Sequence, residues 1–312
     1  MAEQVCLREV GLRDGLQNIS LFMPSQQKKD WISAEFAAGV KEIEITSYVP
    51  PKLLQQFIDA EEVTRHALTI DALAVNALIP NIKGAERGMA LGVSQLNYVQ
   101  SVSESHNQAN VRRSTRESVD DFKRIIALRN ASPTSKRIRI AGGLATAFGC
   151  TIEGPIKEGR VLAWAEEILA AGADELIVAD TVGYANPAAV KSIFSRILPM
   201  AGKTPVAAHF HDTRGLGLAN VVTALDVGVR RFDASLGGLG GCPYAPGASG
   251  NIAMEDCAFM LESMGFTTGI DLVRLLEVRR TVEAQLGGIT FYGSIAKSGL
   301  PKGYQPITAV AA

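Results

Sequence analysis

The chain has 312 residues, room for one large domain or two, with 47% apolar residues, 20% charged residues and a formal net charge of −1. That balance excludes an acidic disordered tail and offers no basic excess to hold nucleic acid. Glu3, Arg8 and Glu9 interrupt the N-terminus where a secretory signal needs an apolar run, and no stretch is long and charge-free enough to span a bilayer.

Cys6, Cys150, Cys242 and Cys257 lie far apart with no C-x-x-C spacing, which argues against a disulfide framework or a Cys-rich zinc site and suits a reducing cytosol. A cytoplasmic protein with neither nucleic acid nor membrane as partner is expected.

Short apolar runs alternate with longer amphipathic ones. "QVCLREV" precedes the helical "SQQKKDWISAEFAAG", and "KEIEITSY" precedes "PKLLQQFIDAEEVTRHA". "IDALAV" then leads to "NIKGAERGMALG", and "VSQLNYVQSV" to "STRESVDDFKRIIALRNAS". The second half keeps the rhythm with "RIRIAGGLA" and "KEGRVLAWAEEILAAG", then "ADELIVAD" and "NPAAVKSIFSRILPMAG". "TPVAAHFH" with "GLGLANVVTALDVG", and "RRFDASLGG" with "SGNIAMEDCAFMLESMG", close the series at eight strand-then-helix units. Recurrent "AAG-V", "ALG-V", "AAG-A" and "DVG-V" read as helix C-caps feeding the next strand.

Eight such units predict a single-domain (β/α)8 TIM barrel over about 5–265, with a C-terminal helical cover over about 266–312 carried by "TTGIDLVRLLEVRRTVEAQLGG". A doubly wound open sheet is the competing architecture. It calls for a G-x-G-x-x-G after the first strand, and "GLRDGLQN" does not supply one.

In such barrels the active site collects at the C-terminal ends of the strands. Arg13 and Asp14 follow strand one, Glu44 lies near the end of strand two, Asp180 ends strand six, and His209 and His211 end strand seven. Residues i and i+2 of a strand share a face, so both imidazoles project together, away from Phe210 and Asp212. Charged groups rarely end buried strands, and here they converge from several strands on one rim. Asp14, His209, His211 and Asn251 form the expected ligand set. One carboxylate, two imidazoles and an amide oxygen suit Mg²⁺ or Mn²⁺ with positions left open for substrate oxygens.

The loop "LGGLGGCPYAPGASGN" is rich in glycine and carries Cys242 in its middle. A cysteine on such a flap over a charged rim reads as a proton donor or nucleophile, whereas Cys6, Cys150 and Cys257 read as packing.

Together these segments resemble the 3-hydroxy-3-methylglutaryl-CoA lyase family. The likeness rests on "GLRDGLQN" (11–18), "EIEITSY" (42–48), "AHFHDT" (208–213) and "GGLGGCPYAPGASGNIAMED" (237–256), and runs over roughly 5–290. The resemblance implies metal ligands at Asp14, His209, His211 and Asn251, a catalytic arginine at Arg13, a glutamate at Glu44 and a flap cysteine at Cys242. It matches Asp180, Glu255 and Asp256 to further family positions, and contacts to the acyl-CoA substrate are expected from Gln17, Asn18, Ser103 and Gly247.

The implied reaction is a metal-dependent retro-Claisen cleavage to acetyl-CoA and acetoacetate, by a homodimer or higher homo-oligomer. His209 or Asp14 would take the hydroxyl proton, Arg13 would stabilise the enolate oxygen, and Cys242 would protonate the enolate carbon. Glu44 would orient Arg13 or the base. Ile19 and Ser20 stand where the family usually has a charged pair, and "QSVSESHNQANVRRS" brings Ser103, His106 and two arginines toward the acyl group. These departures leave citramalyl-CoA as an alternative substrate. A synthase running the reverse condensation and a non-catalytic metal-binding barrel are weaker alternatives.

Overall fold

The structure is a computed structural model that describes residues 2–240 and 250–305. Its strands are β1 (Cys6–Glu9), β2 (Glu42–Ser47), β3 (Ala74–Ile79), β4 (Gln95–Ser101), β5 (Arg139–Ala145), β6 (Glu175–Asp180), β7 (Val206–Phe210) and β8 (Arg231–Ala234). All pair in parallel in chain order, and β8 returns to β1 through the register Cys6↔Arg231 to Glu9↔Ala234, closing an eight-stranded barrel.

Alternation along the strands sorts two interiors. Leu7, Ile43, Ile45, Leu96, Phe210 and Phe232 point outward and join the helices in the main apolar core. Arg8, Glu42, Glu44, Asn97, Glu175 and Asp233 take the alternate positions and are equally buried. Inside the barrel, Arg8 reaches Asp233 at 2.8 Å and Glu175 at 3.2 Å, while Arg231 meets Glu42 at 2.6 Å. Gln95 donates to Glu175 at 3.0 Å and Asn76 to Glu42 at 2.9 Å. An ionic network therefore fills much of a space that aliphatic layers usually occupy. Such a network holds because nearly every charge in it has partners.

The helices are α1 (Ser25–Ala37), α2 (Ala60–Ala67), α3 (Ile82–Leu91), α4 (Glu104–Val111), α5 (Thr115–Ala131), α6 (Glu158–Ala170), α7 (Pro187–Ala201) and α8 (Gly217–Asp226), followed by α9 (Met254–Ser263), α10 (Leu272–Gln285) and α11 (Ile295–Ser298). The glycine closing a helix before its strand takes positive φ, +81° at Gly92 and +110° at Gly228, a region open to a residue without Cβ. Asp271 caps α10 through Val273 and Arg274, and its own amide bonds Ala38 O at 2.7 Å, tying α10 to the end of α1.

Three local expectations shift. Strand three begins at Ala74, four residues after "IDALAV" starts, because a turn with Ala72 at φ +65° precedes it. The helix expected from Pro51 forms only from Ala60. An additional helix, α4, rises from the loop after β4, capped by Ser103 Oγ accepting from the His106 amide at 3.1 Å.

Candidate active site

Directly after β1 the chain makes one π-helical turn, Gly11–Gly15, in which Val10 O accepts from the amides of Arg13, Asp14 and Gly15. The Glu9 carboxylate bonds the Gly11 amide, and a Cβ at position 11 would lie 2.5 Å from Glu9 Oε1, so the turn needs glycine. This turn delivers Arg13 and Asp14 to the rim. Arg13 donates Nε–H to Glu44 Oε2, and its Nη1 reaches Asp14 Oδ1 at 2.5 Å. Asn97 holds the other Glu44 oxygen at 2.7 Å. The guanidinium is thus gripped by two carboxylates and aimed along a fixed direction.

His209 lies in β7, and His211 sits one residue past its end, paired with Asn251 in an isolated antiparallel bridge. Their Nε2 atoms are 3.1 Å apart, and Asp14 Oδ2 lies 3.5 Å from the nitrogen of His211 and 4.0 Å from that of His209. Asp14, His209 and His211 present donor atoms within 4.8 Å of one another, the one such group among the described residues. Two donors each ~2.1 Å from one octahedral ion stand about 3 Å apart, close to the separation of the imidazoles.

Asn251 donates Nδ2–H to Asp14 Oδ2 at 2.7 Å and to Leu239 O at 2.9 Å, which leaves Oδ1 buried with no partner among the described residues. A buried amide oxygen without a donor is costly unless a ligand completes it. The four residues therefore fit a hard divalent cation. Gly240 closes over them at φ +139°, where a Cβ would lie 2.3 Å from Asn251 Nδ2.

The charges are tuned to match. Burial pushes the Asp14 carboxyl up, but the Arg13 guanidinium and the two histidines outweigh it and hold Asp14 well below the usual carboxylate range. Burial pulls His209 down, and Asp233, hydrogen-bonded to its Nδ1 at 3.1 Å, more than reverses this and raises it. Asp14 is consequently a standing anion at the centre of the set.

A cavity of about 520 Å³ opens beside these groups, and Arg13, Asp14, Glu44, His209 and His211 line it. Gln17 and Asn18 also face it, as do Arg112 and Arg113. Asp180 and Ser103 are absent from its lining. The Asp180 carboxylate accepts from the amides of Tyr184 and Ala185 at 2.8 and 3.0 Å, closing the loop after β6, and Ser103 is spent on capping α4. Glu255 accepts from the Gly237 amide and Asp256 from those of Ser294 and Ile295, so both hold loops. Cys242 and Gly247 lie outside the described residues.

Sequence reasoning missed Asp233 and Asn97. For Asp233 the sequence shows only the alternation of "RFDA"; the strand pairing is what sets it directly against His209 of β7.

A model of the HMGL-like family matches residues 4–282. A hydroxymethylglutaryl-CoA lyase of Bacillus subtilis is 39% identical, over 91% of this chain and 94% of its own. An (R)-citramalyl-CoA lyase of Chloroflexus aurantiacus is 38% identical, over 91% of this chain and 92% of its own. Among solved structures, an HMG-CoA lyase from Acinetobacter baumannii, in complex with coenzyme A and 3-methylmalate, superposes with a TM-score of 0.90 at 41% identity, covering 98% of each chain.

Proposed function

Because the chain belongs to the HMGL-like family, we propose that it is a divalent-metal-dependent lyase cleaving 3-hydroxy-3-methylglutaryl-CoA to acetyl-CoA and acetoacetate. The observation that carries this reading is the buried Asp14–His209–His211–Asn251 donor set, with the Asn251 oxygen unspent, beside the Arg13 clamp at the cavity wall. These four residues would hold Mg²⁺ or Mn²⁺. A bound ion would supply Lewis acidity and make the substrate hydroxyl more acidic.

The chain's own groups account for the rest. The hydroxyl proton leaves toward the Asp14 carboxylate, which lines the cavity and is ionised at the start. As the C2–C3 bond breaks, C3 becomes the ketone of acetoacetate and its electron pair moves onto the thioester as an enolate. Arg13 lines the cavity with its charge fixed in place by Glu44 and Asp14, so it needs no reorganisation to meet the enolate oxygen. Cys242 then delivers a proton to C2, releasing acetyl-CoA.

A second reading keeps the chemistry and changes the acyl group. The similar (R)-citramalyl-CoA lyase favours citramalyl-CoA, cleaved to acetyl-CoA and pyruvate. Product identification separates the two: the purified chain with Mg²⁺ or Mn²⁺ should release acetoacetate from HMG-CoA with the higher kcat/KM. Higher kcat/KM for pyruvate release from citramalyl-CoA would select the second reading, and cleavage of neither thioester would defeat both.

A further inference from the structure

His209 and His211 look equivalent in the sequence, but the fold treats their far nitrogens differently. His211 Nδ1 is buried without a hydrogen-bond partner among the described residues. His209 Nδ1 lies 3.1 Å from Asp233 Oδ2. Asp233 is itself immobilised, because its other oxygen accepts Nε–H of Arg8 at 2.8 Å. Arg8 is pinned in turn by Glu175 at 3.2 Å and approached by Glu42 at 3.7 Å, and all of these groups are buried in the barrel interior. The chain Glu175–Arg8–Asp233–His209 thus crosses from β6 through β1 and β8 to β7.

We propose that Asp233 is a positioning residue that fixes the His209 ring and its tautomer, with hydrogen on Nδ1 and the Nε2 lone pair facing Asp14 and His211. The chemistry follows from donor counting. A carboxylate whose Oδ1 is taken by Arg8 offers only an acceptor at Oδ2, so the Nδ1 facing it must carry the hydrogen. In the neutral ring the Nε2 lone pair is then the one presented to the cation position. Carboxylate–histidine–metal arrangements raise ligand basicity in this way. The inference rests on the metal site proposed above.

An amide at position 233 discriminates this role from simple packing. In Asp233→Asn the amide oxygen keeps Arg8, which turns the NH₂ toward His209 Nδ1. That forces Nδ1 to accept and moves the hydrogen to Nε2, where it blocks ligation. The test begins with nitrogen-15 spectra of the wild-type protein, its four histidines labelled and the His209 signal identified by its loss in His209→Gln. At about pH 9, where an ordinary imidazole is neutral, the His209 signal should be that of the Nδ1–H tautomer.

Mn²⁺ titration followed by electron paramagnetic resonance should then show Asp233→Asn binding ~10–100-fold more weakly than wild type, with Asp233→Glu recovering part of the loss. An Nε2–H tautomer in the wild type overturns the proposal even if the variant fails to fold. So does unchanged Mn²⁺ affinity in a folded Asp233→Asn. Wild-type protein that binds no Mn²⁺ would instead defeat the metal site itself.

Discussion

Asn251 donates to the same Asp14 oxygen, at 2.7 Å, that faces both histidines, while its own Oδ1 stays buried without a partner among the described residues. The amide therefore screens the Asp14 anion while its own oxygen stays unspent. Asn251→Asp replaces the donor with a second carboxylate against Asp14. In EDTA the variant should melt below wild type, because two carboxylates at hydrogen-bond distance repel. Saturating Mn²⁺ should raise its melting temperature more than it raises that of wild type, since the ion now offsets an added charge. Equal metal-induced shifts in the two proteins would detach Asn251 from the site.

Cys242 separates a proton donor from a bystander on kinetic grounds. Cys242→Ser should lose about 10²–10⁴-fold in kcat, the usual worth of a positioned general acid. KM should move little, because the group acts in the transition state. Mn²⁺ affinity should be unchanged, since no thiolate belongs to the ligand set. Steady-state kinetics within ~3-fold of wild type, well short of the general-acid range, would end the assignment.

A second cluster, under the loop after β8, predicts pH-dependent stability. Glu9 accepts from the amides of Gly11 and Leu236, and the buried carboxyl of Glu35 in α1 adjoins it. Burial, together with the neighbouring carboxylates, pushes Glu35 well above its ordinary 4.5, and burial lifts Glu9 to about 8. Glu255 nearby, opposed by Arg279 at 3.4 Å, is raised by burial to about 7. The folded state thus holds protons that the unfolded chain gives up above 4.5. The contribution of these protonated carboxyls to stability is fully present below that value and diminishes as pH climbs through 8.

Glu35→Gln supplies a permanent N–H to Glu9 and removes one proton from this linkage. Its melting temperature should fall less than that of wild type between about pH 5 and 8.5, by ~2 °C or more at the alkaline end. Parallel melting curves for the two proteins would show that the pair shares no proton.

The barrel was legible because its period is coarse: eight apolar runs, each followed by an amphipathic one, leave few architectures open. The meeting of these groups was legible because charged residues at strand ends stand out, and Asp14, His209, His211 and Asn251 do converge. What escaped depends on neighbours in space. Asp180 does end β6, but the sequence does not show that the turn through Gly183 brings the amides of Tyr184 and Ala185 onto its carboxylate. The helix that Ser103 caps is likewise not visible in the sequence. Asp233 becomes meaningful once β8 is registered against β7, a pairing between strands joined by a helix that no local spacing reveals.

The central claim is that Asp14, His209, His211 and Asn251 hold the ion on which cleavage depends. Its most direct test follows Mn²⁺ occupancy and acetyl-CoA formation from HMG-CoA in one sample, titrated from EDTA-stripped protein, for wild type and His211→Ala. Activity should rise from near zero in step with occupancy, saturating at about one ion per chain, as one octahedral site requires. His211→Ala should stay folded, bind Mn²⁺ far more weakly and lose activity in proportion to lost occupancy. Full activity in the stripped enzyme, or wild-type Mn²⁺ affinity in His211→Ala, would contradict the account.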